Sequence, residues 1–561
     1  MMSRRHFLET ATGAVLSGSV ASTPAQLPDR FFTQPRTGVG PYKRTGTKKP
    51  PNIFLISADM VSPDLYHPDR PLSKNVQLPN IRSLMVDGTF FSNSFCTVPL
   101  CAPSRASYMT GRYSYIQGNG ERAPEGLEAQ LRPDDIIFPE YLKASGYITR
   151  QAGKGHLGTK KFLDAFGEND QPWDRWSPPV FDDEGFLAYQ RGLGIKPQKY
   201  SREIVFQMQD RTTPGNSTGG WIVQEDGKPF PFEAHYSCYL AKRAIETLRS
   251  IMQTENAAKH AIYLQLDIFD PHQPFSIPDG YQEREKELRS QITVPDSYAA
   301  ARNRDFKKWP YEPEILDIYR KYWGIYDPQA LIDYRIAYIL QMEVVDRAIG
   351  IFLDEVRTLG LYESSLIAFI SDHGEMNGRR AMVDKGVYLH PDVLRVPFIV
   401  KSPGPPETRV VKDSVSLMDL SQTLLDSAGI QPEAKFDGIS LTPALRGEPL
   451  PKRSLLFFGG WHVGVNFACG LEHRTSDGRH FLYAYNLSSP NDELYDMQAV
   501  DAENLIDRPA YAQIRDELIQ LLAEELQRDP RWIGYWAEFR VARYNSLPKT
   551  NGDMQLFTKP T

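Results

Sequence analysis

The sequence predicts an α/β fold: a large, mostly parallel sheet sandwiched by helices, followed by a smaller C-terminal α+β subdomain. Three observations predict it. Short continuous apolar runs recur along the chain, helical patterns lie between them, and the pattern changes after about Pro449. Strands that alternate with helices are the signature of an α/β sandwich built on parallel strands.

Taken in order, the N-terminus has the shape of an export signal. Ser3-Arg4-Arg5-His6-Phe7-Leu8 precedes a mildly apolar stretch from Ala11 to Ala21, with small residues up to Ala25. Charge, apolar stretch and small residues stand in the order that export requires. The arginine pair resembles a twin-arginine signal. Residues 1–25 are therefore read as a signal. Residues 26–50, rich in Pro, Gly, Thr and Lys without apolar period, are read as a linker or surface wrap. Regular structure is expected from Asn52. Ile53-Phe54-Leu55-Ile56 is a run suited to a strand buried on both faces of a parallel sheet. Ile262 to Leu266, Leu366 to Ile370 and Phe398 to Val400 repeat that character. Pro139 to Ser145, Tyr236 to Met252 and Ala330 to Leu359 carry helical spacing, the first and last closed by Gly146 and Gly360. Residues 160–235 and 275–325, rich in proline and aromatics, are read as long loops that shape a substrate site. The basic cluster Arg302, Arg304, Lys307 and Lys308 within them reads first as a solvated face. Beyond a catalytic domain at 51–449, the 450–545 subdomain is expected to hold β-runs at Leu455 to Phe458, Val463 to Ala468 and Arg479 to Tyr485. A helix over Tyr511 to Leu526 follows.

Composition narrows the function classes. With 41% hydrophobic and 24% charged residues over 561 positions, the chain is an ordinary globular protein of several units. A net charge of -6 gives no basic excess for nucleic acid. Beyond the N-terminus no segment approaches the ~18 consecutive apolar residues of a spanning helix, so a soluble exported protein, periplasmic or secreted, is expected. Four cysteines, Cys96, Cys101, Cys238 and Cys469, are too few for a disulfide framework. One or two bridges stay open.

The chemistry centres on Cys101-Ala102-Pro103-Ser104-Arg105. Pro103 fits the first turn of a helix, which places Cys101 just ahead of a helix N-terminus. Free N–H groups and a partial positive charge there suit an anionic nucleophile, and Arg105 lies one turn on. A lone cysteine in this position would more often be a buried structural residue. Together with Thr110-Gly111-Arg112, however, the segment resembles the sulfatase signature, whose family has an alkaline-phosphatase-like α/β fold. The family's other elements stand in order. Asn52 to Asp59 resembles the first strand, ending in a metal-binding aspartate. Gly153-Lys154-Gly155-His156-Leu157-Gly158 is similar to the Gly-Lys-x-His-x-Gly element, and Asp270-Pro271-His272-Gln273-Pro274 to the Pro-His-x-Pro element. Ser371-Asp372-His373-Gly374-Glu375 resembles the second metal-binding pair, and Lys385 the second sulfate-binding lysine.

The resemblance implies a sulfatase: hydrolysis of a sulfate ester to alcohol and inorganic sulfate. A formylglycine nucleophile is made from Cys101 by a formylglycine-generating enzyme. It implies one divalent metal, calcium in most of the family, held by Asp59, Asp372, His373 and the modified Cys101. Arg105 would stabilise the hydrated aldehyde, Lys154 and Lys385 would clamp the sulfate, His272 would protonate the leaving alcohol and His156 would take a proton from the nucleophile. Two departures stand out. Met60 replaces a second metal acid, and a thioether is a poor ligand for a hard cation. An imidazole in the shell admits manganese. His390 and Asp392 stand where the family often has Tyr and Glu, near the substrate. A phosphonate or phosphate monoester hydrolase on the same fold is the alternative, and a non-catalytic carbohydrate-binding relative is the alternative of another class. The expected substrate is a sulfated small molecule or carbohydrate.

Overall fold

Apolar runs that can be buried on both faces become the middle of a seven-stranded sheet. The protein is described by a computed structural model, covering residues 38–45, 49–113, 131, 135–157, 160–167, 177–254, 256–302, 313–386, 388–459, 468–486, 489 and 491–543. The expected signal at 1–25, most of the 26–50 linker, Gly158, and Arg304, Lys307 and Lys308 lie outside these residues.

The strands are β1 (Tyr42–Arg44), β2 (Asn52–Ala58), β3 (Thr89–Phe95), β4 (Ile148–Gly153), β5 (Gln198–Gln207), β6 (Pro214–Gln224), β7 (Ile262–Ile268) and β8 (Phe275–Ile277). There follow β9 (Ser365–Ser371), β10 (Phe398–Lys401), β11 (Arg409–Ser416), β12 (Ile430–Pro432), β13 (Leu455–Gly459), β14 (Ala468–Arg474), β15 (His480–Asn486) and β16 (Glu493–Asp496). The large sheet has the order β11-β3-β10-β9-β2-β7-β4. Its right half, β9-β2-β7-β4, is parallel throughout, with Ile53 to Ala58 facing both Leu366 to Ser371 and Tyr263 to Ile268. β10 departs from the sequence reading: it runs antiparallel to both β3 and β9. A parallel return would need a crossover long enough to reach the far end of the sheet. The chain between β9 and β10 instead stays at the C-terminal end of β9, where it builds part of the site, and re-enters the sheet from that end.

The helices form where their periodicity and caps dictate. Helix Tyr236–Met252 has the predicted bounds. Helix Pro328–Thr358 starts at Asp327, whose carboxylate accepts the N–H groups of Gln329 and Ala330, with Pro328 in the first turn. It packs along the helix Tyr236–Met252, and its Phe352 meets Phe54 of β2 edge-on at 5.9 Å. The stretches read as loops are in part folded. β5 and β6 form an antiparallel hairpin that β8 joins in parallel, and helices cover Gln282–Arg289 and Glu314–Trp323. Structure also begins before Asn52, since β1 pairs with β12.

The C-terminal unit is a four-stranded antiparallel sheet in the order β13-β14-β15-β16, with helix Ala512–Arg528 on it. The second strand is Ala468–Arg474, and residues 463–467 of the run expected from Val463 to Ala468 lie outside the described part. Its apolar core takes in Val98 and Leu100 of the large domain together with Leu456, Phe458 and Leu471. Leu100 caps the helix that carries Cys101, so this subdomain braces that helix at its N-terminus. Among the described residues no helix is long and apolar enough to cross a membrane. Cys96, Cys101, Cys238 and Cys469 are all buried.

Candidate active site

Three functional side chains leave the C-terminal ends of the parallel strands. Asp372 follows β9, Asp59 follows β2 and Lys154 follows β4. Open α/β sheets bind ligands at this edge because the strand ends and loops converge there. Gly153 permits the close approach: its φ is +109°, and a Cβ on it would stand 1.9 Å from the carbonyl oxygen of Asp267. Cys101 follows the C-terminal end of β3. It is the first residue of helix Cys101–Thr110 rather than the residue ahead of it. The helix begins one residue earlier than Pro103 suggested, because Leu100, buried in the C-terminal core, takes the capping position. Cys101 therefore lies within the first turn, at the positive end of the helix dipole.

The ligand atoms of Asp59, Cys101, Asp372 and His373 lie within 4.8 Å of one another, all buried. Cys101 Sγ is 3.1 Å from His373 Nε2 and 3.6 Å from Asp59 Oδ1. Lys154 Nζ donates to Asp59 Oδ2 at 2.5 Å. Arg105 Nε donates to Asp372 Oδ2 at 2.9 Å, and its Nη1 donates to the carbonyl of Lys154 at 3.1 Å. Burial alone would raise the Asp59 carboxyl, but the charges of Lys154, His272, Arg105 and His373 outweigh it and hold Asp59 well below the usual carboxylate range. Lys154 and Arg105 are also fully desolvated, and the carboxylates around them keep both cationic: Asp59 beside Lys154, Asp372 and Asp59 beside Arg105. The cluster is thus a set of buried ions held by mutual pairing. Removing one member of such a set is costly.

A second pair faces this group. Lys385 Nζ lies 2.5 Å from His272 Nε2, and His272 Nδ1 faces the carbonyl of Gln273 at 2.6 Å. The His272 ring sits 6.3 Å from the ring of His373 and stacks on Phe269 at 5.0 Å. Burial, and then the charge of Lys385, push the imidazole well below its ordinary pKa. His156 stands two residues beyond Lys154, largely buried, with a left-handed backbone at φ 54°. Met60 also has a positive φ, 62°. It serves through its backbone: its N–H donates to Asp372 Oδ1 at 3.1 Å and its carbonyl accepts from Tyr338 Oη at 2.6 Å.

Other residues emerge only in three dimensions. Asp267, on β7 beneath the site, accepts from Ser57 Oγ and, at 2.8 and 2.7 Å, from Gln151 and Gln265. Its Oδ1 is 3.5 Å from Arg105 Nη1. An acid inside an apolar strand run was the one available signal. Ser104 Oγ donates to the carbonyl of Asp372 at 2.5 Å. His390 and Asp392, in the stretch expected near the substrate, make buried structural contacts beside the segment that follows His373, where the carbonyl of Asp392 accepts the N–H of Glu375 at 3.1 Å. His390 Nδ1 accepts the N–H of Asp392 at 3.1 Å, capping helix Pro391–Leu394. The carboxylate of Asp392 pairs with Arg70 at 2.6 Å and Arg379 at 3.3 Å. Both residues are about 1% exposed.

Comparison with known proteins agrees with this geometry. Residues 51–430 match the sulfatase family, and residues 378–528 match the C-terminal region of N-sulphoglucosamine sulphohydrolase. The chain belongs to the sulfatase family, on an alkaline-phosphatase-like fold. It is a sulfuric ester hydrolase, and its relatives carry that activity in their names. The N-acetylglucosamine-6-O-sulfatase of Bacteroides thetaiotaomicron is 24% identical over 528 residues, covering 85% of this chain and 86% of the relative. An arylsulfatase of Clostridium perfringens is 24% identical, covering 85% and 94%. Among solved structures, a phosphonate monoester hydrolase from Silicibacter pomeroyi superposes with a TM-score of 0.66 at 20% identity, covering 87% and 96%.

Proposed function

We propose that the protein hydrolyses sulfate esters through a formylglycine made from Cys101, with one divalent metal held by Asp59, Asp372, His373 and the modified Cys101 side chain. The observation that carries this is the convergence of those four ligand positions within 4.8 Å, at the strand ends and inside the first turn of a helix. The donor set fits a hard cation: two carboxylates, one of them held ionised, and an imidazole. Calcium is assigned, and the imidazole makes manganese the competing ion. The metal, when bound, supplies Lewis-acid polarisation and a template for sulfate oxygens.

The chain's own residues do the rest. Arg105, locked on Asp372, orients the Cys101 side chain. Lys154 and Lys385 bind sulfate oxygens and hold the charge that stays on them through the transition state. The Nδ1 of His272 faces a carbonyl, so Nε2 is the atom that exchanges a proton with the departing alcohol. An anion bound against Lys385 offsets that cation and raises the imidazole's affinity for a proton. His156 takes a proton from the nucleophile side.

The substrate class we assign is a sulfated carbohydrate or small alcohol, in line with the sugar sulfatase among the relatives. We also assign export, with maturation of Cys101 before it if the arginine pair directs a folded chain. The same clamp would serve a phosphonate monoester, and the imidazole among the metal ligands favours testing it. Parallel assays on aryl sulfate and aryl phosphonate rank the two. Mass spectrometry of the tryptic peptide Ser83 to Arg105 tests the central claim. A loss matching replacement of the thiol by an aldehyde oxygen is expected; an intact thiol in active protein overturns the formylglycine mechanism.

A further inference from the structure

Lys385 lies in a segment with an uncommon backbone. Asn377, Arg380, Ala381 and Asp384 have φ of 49°, 54°, 52° and 68°. Side chains with a Cβ rarely adopt such angles, and they persist where the surroundings over-determine them. Three of the contacts that supply that determination lie around Lys385. Glu375 Oε1 accepts the N–H of Asp384 at 2.6 Å, and Arg320 Nε donates to the carbonyl of Arg380 at 2.8 Å. The third is Tyr319. Its hydroxyl lies 2.9 Å from the carbonyl oxygen of Lys385 and 3.1 Å from Asp384 Oδ2.

Of the three, only Tyr319 touches Lys385 itself. The other oxygen of Asp384 is 3.1 Å from Lys385 Nζ, and Nζ is 2.5 Å from His272 Nε2. A continuous path therefore runs from the Tyr319 hydroxyl through the Asp384 carboxylate to the Lys385 ammonium and on to the imidazole. Tyr319 is 2% exposed, with its ring edge-on to Tyr388 at 5.7 Å. It comes from helix Glu314–Trp323, in a stretch with no part of the sulfatase motifs.

We infer that Tyr319 is a positioning residue for Lys385: it fixes both the backbone of that lysine and the carboxylate that aims its ammonium at the sulfate. The inference rests on the reading of Lys385 as a sulfate clamp. A phenol suits the task because its reach is rigid and its proton can be shared between two acceptors.

A double-mutant cycle in the full-length, metal-loaded enzyme tests this. Tyr319→Phe, Lys385→Ala and the double variant are assayed for aryl sulfate hydrolysis, and their binding of inorganic sulfate is measured by calorimetry. The calorimetric arm keeps a slow Lys385→Ala enzyme readable. In the wild-type background Tyr319→Phe is expected to raise KM and weaken sulfate binding about fivefold with kcat within about twofold, and in the Lys385→Ala background to change either by less than about 1.5-fold. Equal effects in the two backgrounds, or no effect on KM and sulfate binding, overturn the inference. If Lys385→Ala itself binds sulfate as the wild type does, the clamp reading fails instead, which is a separate result. Asp384→Asn covers the case in which Tyr319→Phe does not fold. Asparagine tolerates the positive φ and still accepts the phenol, but loses the charge beside Lys385. It should weaken sulfate binding only while Lys385 is present, and an equal loss without Lys385 counts against the inference.

Discussion

Replacing His235 with asparagine should flatten the protein's acid sensitivity by an amount the structure sets. His235 caps helix Tyr236–Met252. Its Nδ1 accepts the N–H of Ser237 at 3.2 Å, and its Nε2 faces the carbonyl of Ser276 at 2.9 Å. One nitrogen must therefore be bare and the other protonated, which only the neutral ring provides. Protonation would set an N–H against the N–H of Ser237. Burial, opposed by the bond to Ser276, pushes the imidazole down from 6.5 to about 4. The folded ring binds its proton more weakly than the unfolded one. Its stabilising contribution is therefore complete above pH 6.5 and is lost as pH falls through that value toward 4. The loss is about 2 kcal/mol at pH 5 and about 3 kcal/mol below pH 4. Asparagine still caps the helix but does not titrate. Urea unfolding of both proteins at pH 7 and pH 5 gives the difference of differences, which cancels any fixed cost of the substitution. The variant should lose about 2 kcal/mol less than the wild type over that interval. Equal losses would refute the assignment of a neutral, carbonyl-bound ring. His67 is built in the same way, with Nδ1 on the N–H of Asp69 and its pKa lowered to about 4, so the wild type and the variant both retain that second acid-sensitive site.

Three further outcomes follow from the site. Lys154→Ala should lower kcat for aryl sulfate by about 100- to 1000-fold, read in steady-state kinetics, as expected for a lost charge-stabilising donor; a loss below tenfold would remove Lys154 from the clamp. Chelation should lower the melting temperature, and added calcium or manganese should restore it in a concentration-dependent way, because an ion bound only by the folded chain stabilises it by mass action. A melting curve indifferent to chelator and metal would count against the Asp59–Asp372–His373 site. Gly153→Ala should cost at least about 2 kcal/mol in chemical denaturation and disturb Lys154, since the new Cβ meets the Asp267 carbonyl and φ is +109°; a neutral substitution would show that the strand end yields.

Much of the parallel half of the sheet was legible because burial on both faces writes itself as unbroken apolar runs. Ile53 to Ile56 and Leu366 to Ile370 needed no partner to be read. β10 shows where that logic stops: an apolar run reports burial but not direction, and Phe398–Lys401 is antiparallel because its preceding chain stays at the site. The β5–β6 hairpin escaped the reading because β5 is largely polar and exposed and the buried part of β6 is interrupted by glycines. The residues of the site were singled out through motifs, whereas the pairing of Asp392 with Arg70 and Arg379 was not, because position along the chain does not say which way a side chain faces.

The sequence by itself determined the residue types of the site, their order and the strand ends that carry Asp59 and Asp372, because these are local properties of short segments. Only the tertiary structure decided which groups balance their charges. Asp267 under Arg105, the backbone of Met60 on Asp372, and Tyr319 on Lys385 join segments far apart in the chain. Pairing of buried ions and polar groups depends on distance and on exclusion of water, and neither is written in the neighbourhood of any one residue.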